Sequence, residues 1–298
     1  ALKSIGYTQA RDFIPELIKR IGDKNYKNDI RDTIASYGSK VTGTLSDYLS
    51  DDSVDKNVRK HIPAVLSNIP VQESVNALVE GLSKAETPVK YFILKAMNKL
   101  HENYPDLQIN PKKVDSVFLD ETKTYYEILQ ILHLHKNDNG NESAKLLKKA
   151  LGETLDHNLE QIFRVLGLKY QSKDIFLAYL GITSDRALLR DNAIEYLDNI
   201  LGMDQKKYLL PILDRGADEI AIKQGQNMFS IKKMTLDDSV EYLLQSNNAW
   251  LKTCALFYLK DHKGENFENM KKKISESVND SNPFVSETAK LVSGDIDN

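Results

Sequence analysis

The chain has 298 residues, 41% hydrophobic and 28% charged, a balance that fits neither a disordered polypeptide nor one embedded in lipid. Its formal net charge of −3 and pI near 6.1 argue against broad nonspecific attraction to nucleic acid or anionic lipid, while leaving room for a local basic groove. No run approaches the ~18 consecutive apolar residues of a membrane helix, and the lone Cys254 excludes an intrachain disulfide framework and fits a reducing compartment.

Apolar residues keep a helical period almost throughout, and two-helix phrases recur every few tens of residues. This predicts an all-α, α-α superhelix of about seven helical pairs, because a two-helix unit cannot bury its apolar face alone and must stack on its neighbours. The first pair is expected over residues 10–21, with Phe13, Ile14, Leu17 and Ile18 on one face, and 27–37, with Ile30, Ile34 and Ala35. Gly38 stops the second helix, since glycine accepts the left-handed conformation without a side-chain penalty. The second pair spans 41–69, turning at Ser50-Asp51-Asp52-Ser53, whose short polar side chains can cap the next helix. The third runs over 71–82, then from the cap Thr87 and the first-turn Pro88 to about residue 102.

The middle departs from the short period. One stripe runs through Val114, Phe118, Tyr125, Leu129 and Leu132, and a second, after a turn at 137–141, through Leu147, Leu151, Leu155, Leu159, Ile162 and Leu166. Helices of roughly 25 residues are almost 40 Å long at ~1.5 Å per residue, so this pair should project beyond the others or brace several of them. The short period then returns over 173–180 with 186–201, opened by Thr183-Ser184-Asp185. A short helix at 206–213, kinked or ended by Pro211, leads into an irregular, partly buried stretch at 216–234. The last pairs are 236–244 with 249–259, and 267–278 with 283–292. The expectation is a single solenoid domain over 1–298, with regular pairs at about 8–102, the long pair at about 111–170 and regular pairs at about 172–294. It starts within repeat material and without Met, so it reads as a soluble piece of a longer polypeptide.

The second helices open on a small or β-branched residue and a basic one: Val58-Arg59, Val89-Lys90, Leu189-Arg190 and Leu251-Lys252. This phrasing resembles HEAT repeats. Longer stretches, 59–66, 163–168, 190–199, 210–214 and 249–256, resemble in order the soluble HEAT region of bacterial ATP/ADP-translocase-like carriers. The resemblance implies a cytoplasmic module, tethered to the inner membrane through a transmembrane carrier bundle upstream, sometimes with a cyclic-nucleotide-binding domain downstream. Its partners would be those domains of its own chain or another protein. The transport residues of such carriers lie in the transmembrane part, so none carries over.

Several residues invite a functional reading. Arg31, Arg59, Lys90, Arg190 and Lys252 occupy comparable places and form either a basic ladder for acidic partners or braces to turn carboxylates such as Asp52 and Asp185, worth about 0–1 kcal/mol per exposed pair. The brace is favoured. Trp250, the only tryptophan, is a possible partner anchor or a packing residue against the next pair. Tyr125, Tyr126, Phe163, Tyr170, Phe176 and Tyr179 sit among leucines at helical spacing, which favours core packing over base stacking. His133 and His135 are two apart on a helix and do not share a face, so they make a poor metal pair. Cys254 sits on the apolar face and reads as an inert thiol. Asp120-Glu121 and Asp237-Asp238 are adjacent and point apart, defining no acid/base pair, and Gly38-Ser39-Lys40 lacks the upstream glycine of a phosphate loop. No catalytic residue, cofactor or metal is expected. The rivals to a nonenzymatic interaction or regulatory module are a HEAT-like DNA-binding protein or DNA glycosylase, which the acidic balance and scattered lysine pairs disfavour, and a freestanding soluble adaptor.

Overall fold

The computed structural model describes residues 2–138, 140–214, 216–262 and 267–296. The chain is all-α, with no strand among the described residues. No described helix is long and apolar enough to cross a membrane. Two compact units form, one from 1–118 with 161–180, the other from 119–160 with 181–298.

In the first unit, helices stack on their counterparts in the next pair. Thr42–Ser50 packs on Gln72–Lys84, while Lys27–Ala35 packs on Ile62–Leu66 and that in turn on Thr87–Asn103. The contact is close: a Cβ on Gly81 would lie 2.7 Å from Leu49 Cδ2, so only glycine lets these first helices approach so nearly. The core alternates between the two layers, with Leu45, Leu49, Val75 and Leu78 in one and Ile34, Ile62, Leu66 and Ile93 in the other, all buried. Each such side chain contributes about 1.5–3 kcal/mol relative to exposure.

The early helices are shorter than their apolar stripes predict. Residues 10–21 form a 3-10 turn at Arg11–Phe13 followed by Ile14–Lys19, and a further helix, Leu2–Thr8, precedes them. The second helix of the second pair is broken into Lys56–Arg59 and Ile62–Leu66. Pro63 is the reason: it has no amide hydrogen to donate to the Arg59 carbonyl four residues back, and its ring crowds that carbonyl, while its fixed φ suits the first turn of the second fragment. Gly38 does adopt a positive φ of +62°, but the helix has already ended at Ala35. In the third pair Glu86 is the residue that precedes the helix, and the side chain of Thr87, expected as the cap, lies outside the described residues.

The long helices are Pro111–Leu134 and Glu142–Leu166. Of the turn expected between them, Asn139 lies outside the described residues. Within the second unit, the 119–160 portion is tied to distant helices. Tyr126 donates to the Tyr208 carbonyl at 2.9 Å, Gln130 to the Lys232 carbonyl at 3.2 Å, and Tyr242 to Glu127 at 2.9 Å. Tyr126 also shares a cluster with Phe229, which in turn packs on Tyr208.

The later pairs of the second unit keep the stacking rule. Leu236–Leu244 packs on Phe267–Ser277, and Ala249–Asp261 on Pro283–Ile296. Leu236–Leu244 opens on a capping box, with the Thr235 side chain accepting from the Asp238 amide and the Asp238 side chain from the Thr235 amide. Met203–Leu213 includes Pro211 near its C-terminal end. One detail differs from the sequence expectations here: the stretch expected to be irregular holds the helix Asp218–Phe229, ended by Ser230 in the left-handed conformation at φ 52°.

Candidate interaction surface

The basic residues that open the second helices serve different local ends. Arg59 is 1% exposed, donating from Nη1 to Asp52 at 2.8 Å and from Nε to the Leu49 carbonyl at 3.2 Å, while its Nη2 has no protein partner. Arg190, partly buried, donates to the Ser184 carbonyl at 2.8 Å in its own turn. Lys252 pairs with Asp280 at 2.8 Å. Lys90 is partly buried. Arg31 meets His61 Nδ1 at 2.6 Å, an arrangement that needs a neutral imidazole as acceptor. Burial first, and then the Arg31 charge, depress the His61 pKa to about 4, consistent with that role.

The aromatic residues also divide. Tyr126 and Phe163 are buried, Phe163 against Tyr179, whereas Phe176 is exposed on the opposite side of its helix from buried Ile175 and Ala178. Trp250 begins Ala249–Asp261 and is 46% exposed, its amide hydrogen accepted by the Asn248 side chain.

Among the buried polar groups, one cluster in the second unit has the look of chemistry. His135 Nε2 lies 3.1 Å from Ser239 Oγ, His135 sits edge-on to Tyr258, and Tyr258 donates to Asp138 at 2.7 Å. His262 stacks on Tyr258 and approaches the same Asp138 oxygen at 3.3 Å. The Ser239 hydroxyl already donates to the Leu236 carbonyl at 2.6 Å, so the His135 Nε2 hydrogen points to Ser239 and the Nδ1 lone pair is left without a protein partner. Both residues are buried, with Ser239 fully so. The Ser239 hydroxyl is enclosed, while Asp138 and His262 are only partly buried. His133, two residues before, lies 3.8 Å from Glu219 instead.

One concave feature of the first unit is a groove of about 540 Å3. Its floor comes from the C-terminal ends of three successive second helices: Asp32, Ala35 and Ser36 from the first, Ser67 and Asn68 from the second, Lys99, Asn103 and Tyr104 from the third. Ser36, Ser67 and Tyr104 are the residues immediately after those helices, where the last carbonyls have no partner within the helix. Several of these side chains are held. Lys99 donates to Asn68 Oδ1 at 2.7 Å, Asn103 Nδ2 to the Lys99 carbonyl at 2.7 Å, and the Ser36 and Ser67 hydroxyls to carbonyls three residues back. None of them stands out in the sequence, since each is an ordinary polar residue at a helix end. Only superposing the ends of successive second helices brings them together.

No family model matches the chain, and no curated protein sequence matches it.

Proposed function

We propose that the chain is a nonenzymatic HEAT-type solenoid that acts as an interaction or regulatory module, holding a protein partner or tethered domains of its own polypeptide. The observation that carries this reading is the near-constant sequence separation of bonds between successive helix pairs in residues 31–99 and 241–280, on either side of the long middle helices, whose own bonds span farther. Arg31 meets His61, Lys56 meets Glu86, Asn68 meets Lys99, Glu241 meets Lys273 and Lys252 meets Asp280. Those partners lie 30, 30, 31, 32 and 28 residues apart. Separations that vary so little are what repeats stacked in register produce, and a stack of repeats leaves an extended face for partners. The groove across three second helices is such a face.

The stretches that resemble translocase-associated HEAT regions support a cytoplasmic setting, tethered to the inner membrane through a carrier bundle. Two measurements separate these statements. Crosslinking of the natural gene product in intact cells should join its surface lysines, Lys99 of the groove among them, to another polypeptide or to a different domain of the same one; crosslinks confined within residues 1–298 would refute the module. The coding sequence upstream of residue 1 should encode many membrane spans, and its lack would refute the tether alone.

A further inference from the structure

We infer that the groove in the first unit binds an extended polypeptide segment that carries a basic residue and, about five residues away, an acidic one; this rests on the reading of the chain as an interaction module. Side chains of the groove that are already pinned keep unused hydrogen-bonding capacity. Asn68 is exposed and accepts from Lys99 through Oδ1, which orients its amide and leaves the Nδ2 hydrogens as donors. Asn103 is exposed and donates through Nδ2, which leaves Oδ1 as an acceptor. The Ser36 and Ser67 hydroxyls donate backwards to their own helices and keep oxygen lone pairs to accept with. The groove therefore offers donors and acceptors together, fixed before a ligand arrives. That suits the N–H and C=O groups of an extended backbone, and little rotamer freedom is lost on binding.

Length and charge narrow the ligand further. Packed helices lie about 8–10 Å apart, so three of them span about 16–20 Å, or about five or six residues at ~3.3 Å each. Asp32 stands on the first helix and Lys99 on the third, both exposed. Lys99 meets a neutral amide at Asn68, and the two ends of the groove are opposite in sign. A peptide basic residue belongs beside Asp32 and an acidic one beside Lys99.

The test is selection of random 12-residue peptides on the immobilised 298-residue chain, followed by fluorescence anisotropy with the synthesised winners. The expected winners carry Lys or Arg four to six residues from Asp or Glu, always in the same order. Affinity should fall at least tenfold in an Asn68→Ala, Asn103→Ala double variant and at least threefold in Lys99→Gln. The paired change Asp32→Lys, Lys99→Asp should weaken the original peptides and restore binding to versions with the two charges exchanged. All four positions lie on the surface, and unchanged thermal midpoints verify the fold of each variant. Failure to enrich any peptide over an unrelated helical protein overturns the inference. So does undiminished binding of the winners to every groove variant, an outcome that leaves the interaction module itself standing on some other face.

Discussion

Lys252 reaches beyond the turn of its own helix pair and closes a 2.8 Å ion pair on Asp280, in the turn of the pair that follows. Arg59, at the corresponding place in an earlier pair, turns back to Asp52 in its own turn. The two basic residues look alike in sequence, yet one joins neighbouring pairs and the other closes a single pair.

The difference is measurable by urea unfolding. Lys252→Ala removes a partly exposed pair and should lower stability by about 0.5–1 kcal/mol. Arg59→Ala leaves a cavity and strands the Leu49 carbonyl and should cost about 2–4 kcal/mol. Equal losses in the two variants would contradict this assignment.

Glycine-to-alanine changes should split in sign. A Cβ on Gly225 would fall within 2.9 Å of Tyr126 Cβ and closer still to its ring, so Gly225→Ala should destabilise by about 1–3 kcal/mol. Gly152, inside Glu142–Leu166, has nothing within 4 Å of such a Cβ. Gly152→Ala should therefore stabilise by about 0.5–1 kcal/mol through the restricted unfolded chain. Thermal midpoints moving in opposite directions are the expected result.

Acid should weaken the second unit before its carboxylates titrate. Burial, only partly offset by Asp138, depresses the His135 pKa to about 4, with His262 and Lys148 adding to the depression. The unfolded imidazole takes up its proton near pH ~6.5. Between about pH 6.5 and 4 the unfolded state binds a proton that the folded state refuses, so stability falls as pH drops through that window and is unaffected above it. The loss amounts to roughly 3 kcal/mol at most. Urea midpoints at pH 7.5 and 4.5 should show it, and His135→Gln should lessen the drop. His61, depressed for the same reason, leaves a residual drop in that variant.

Cys254 should resist alkylation while the protein is folded. Burial, with Glu153 adding to it, pushes the thiol up to about 12, and no sulfur surface meets solvent. Labelling with iodoacetamide at pH 8 should proceed only at the rate of unfolding, and rapid labelling of the folded chain would contradict the buried placement.

The helices themselves were legible because their buried positions keep a 3.6-residue period: Ile93, Ala96, Met97 and Leu100 are all buried, as are Leu147, Leu151 and Leu155. The misreadings have local causes. The helix Asp218–Phe229 was hidden because Ile222 alone gives its buried face a strong apolar signal beside Ala221 and Gly225, while Ile220 points to solvent. Phe176, grouped with core aromatics by its spacing, falls on the exposed side of a helix whose buried face is Ile175, Ala178 and Ile182. The groove was invisible for a different reason. Polar residues at helix ends are common everywhere, and only the stacking of one end on the next turns Ser36, Asn68 and Asn103 into a single surface.

The two compact units are interleaved along the chain: 1–118, then 119–160 of the other, then 161–180, then the remainder. Neither can be cut out as one uninterrupted stretch. On the ribosome, residues 119–160 emerge long before Tyr208, Lys232 and Tyr242, the groups that Tyr126, Gln130 and Glu127 bond. Non-local closure of this kind raises contact order and slows folding, unlike an array whose repeats zip up from near neighbours. The 119–160 segment must therefore wait with apolar helix faces uncovered, a state in which a polypeptide depends on chaperones.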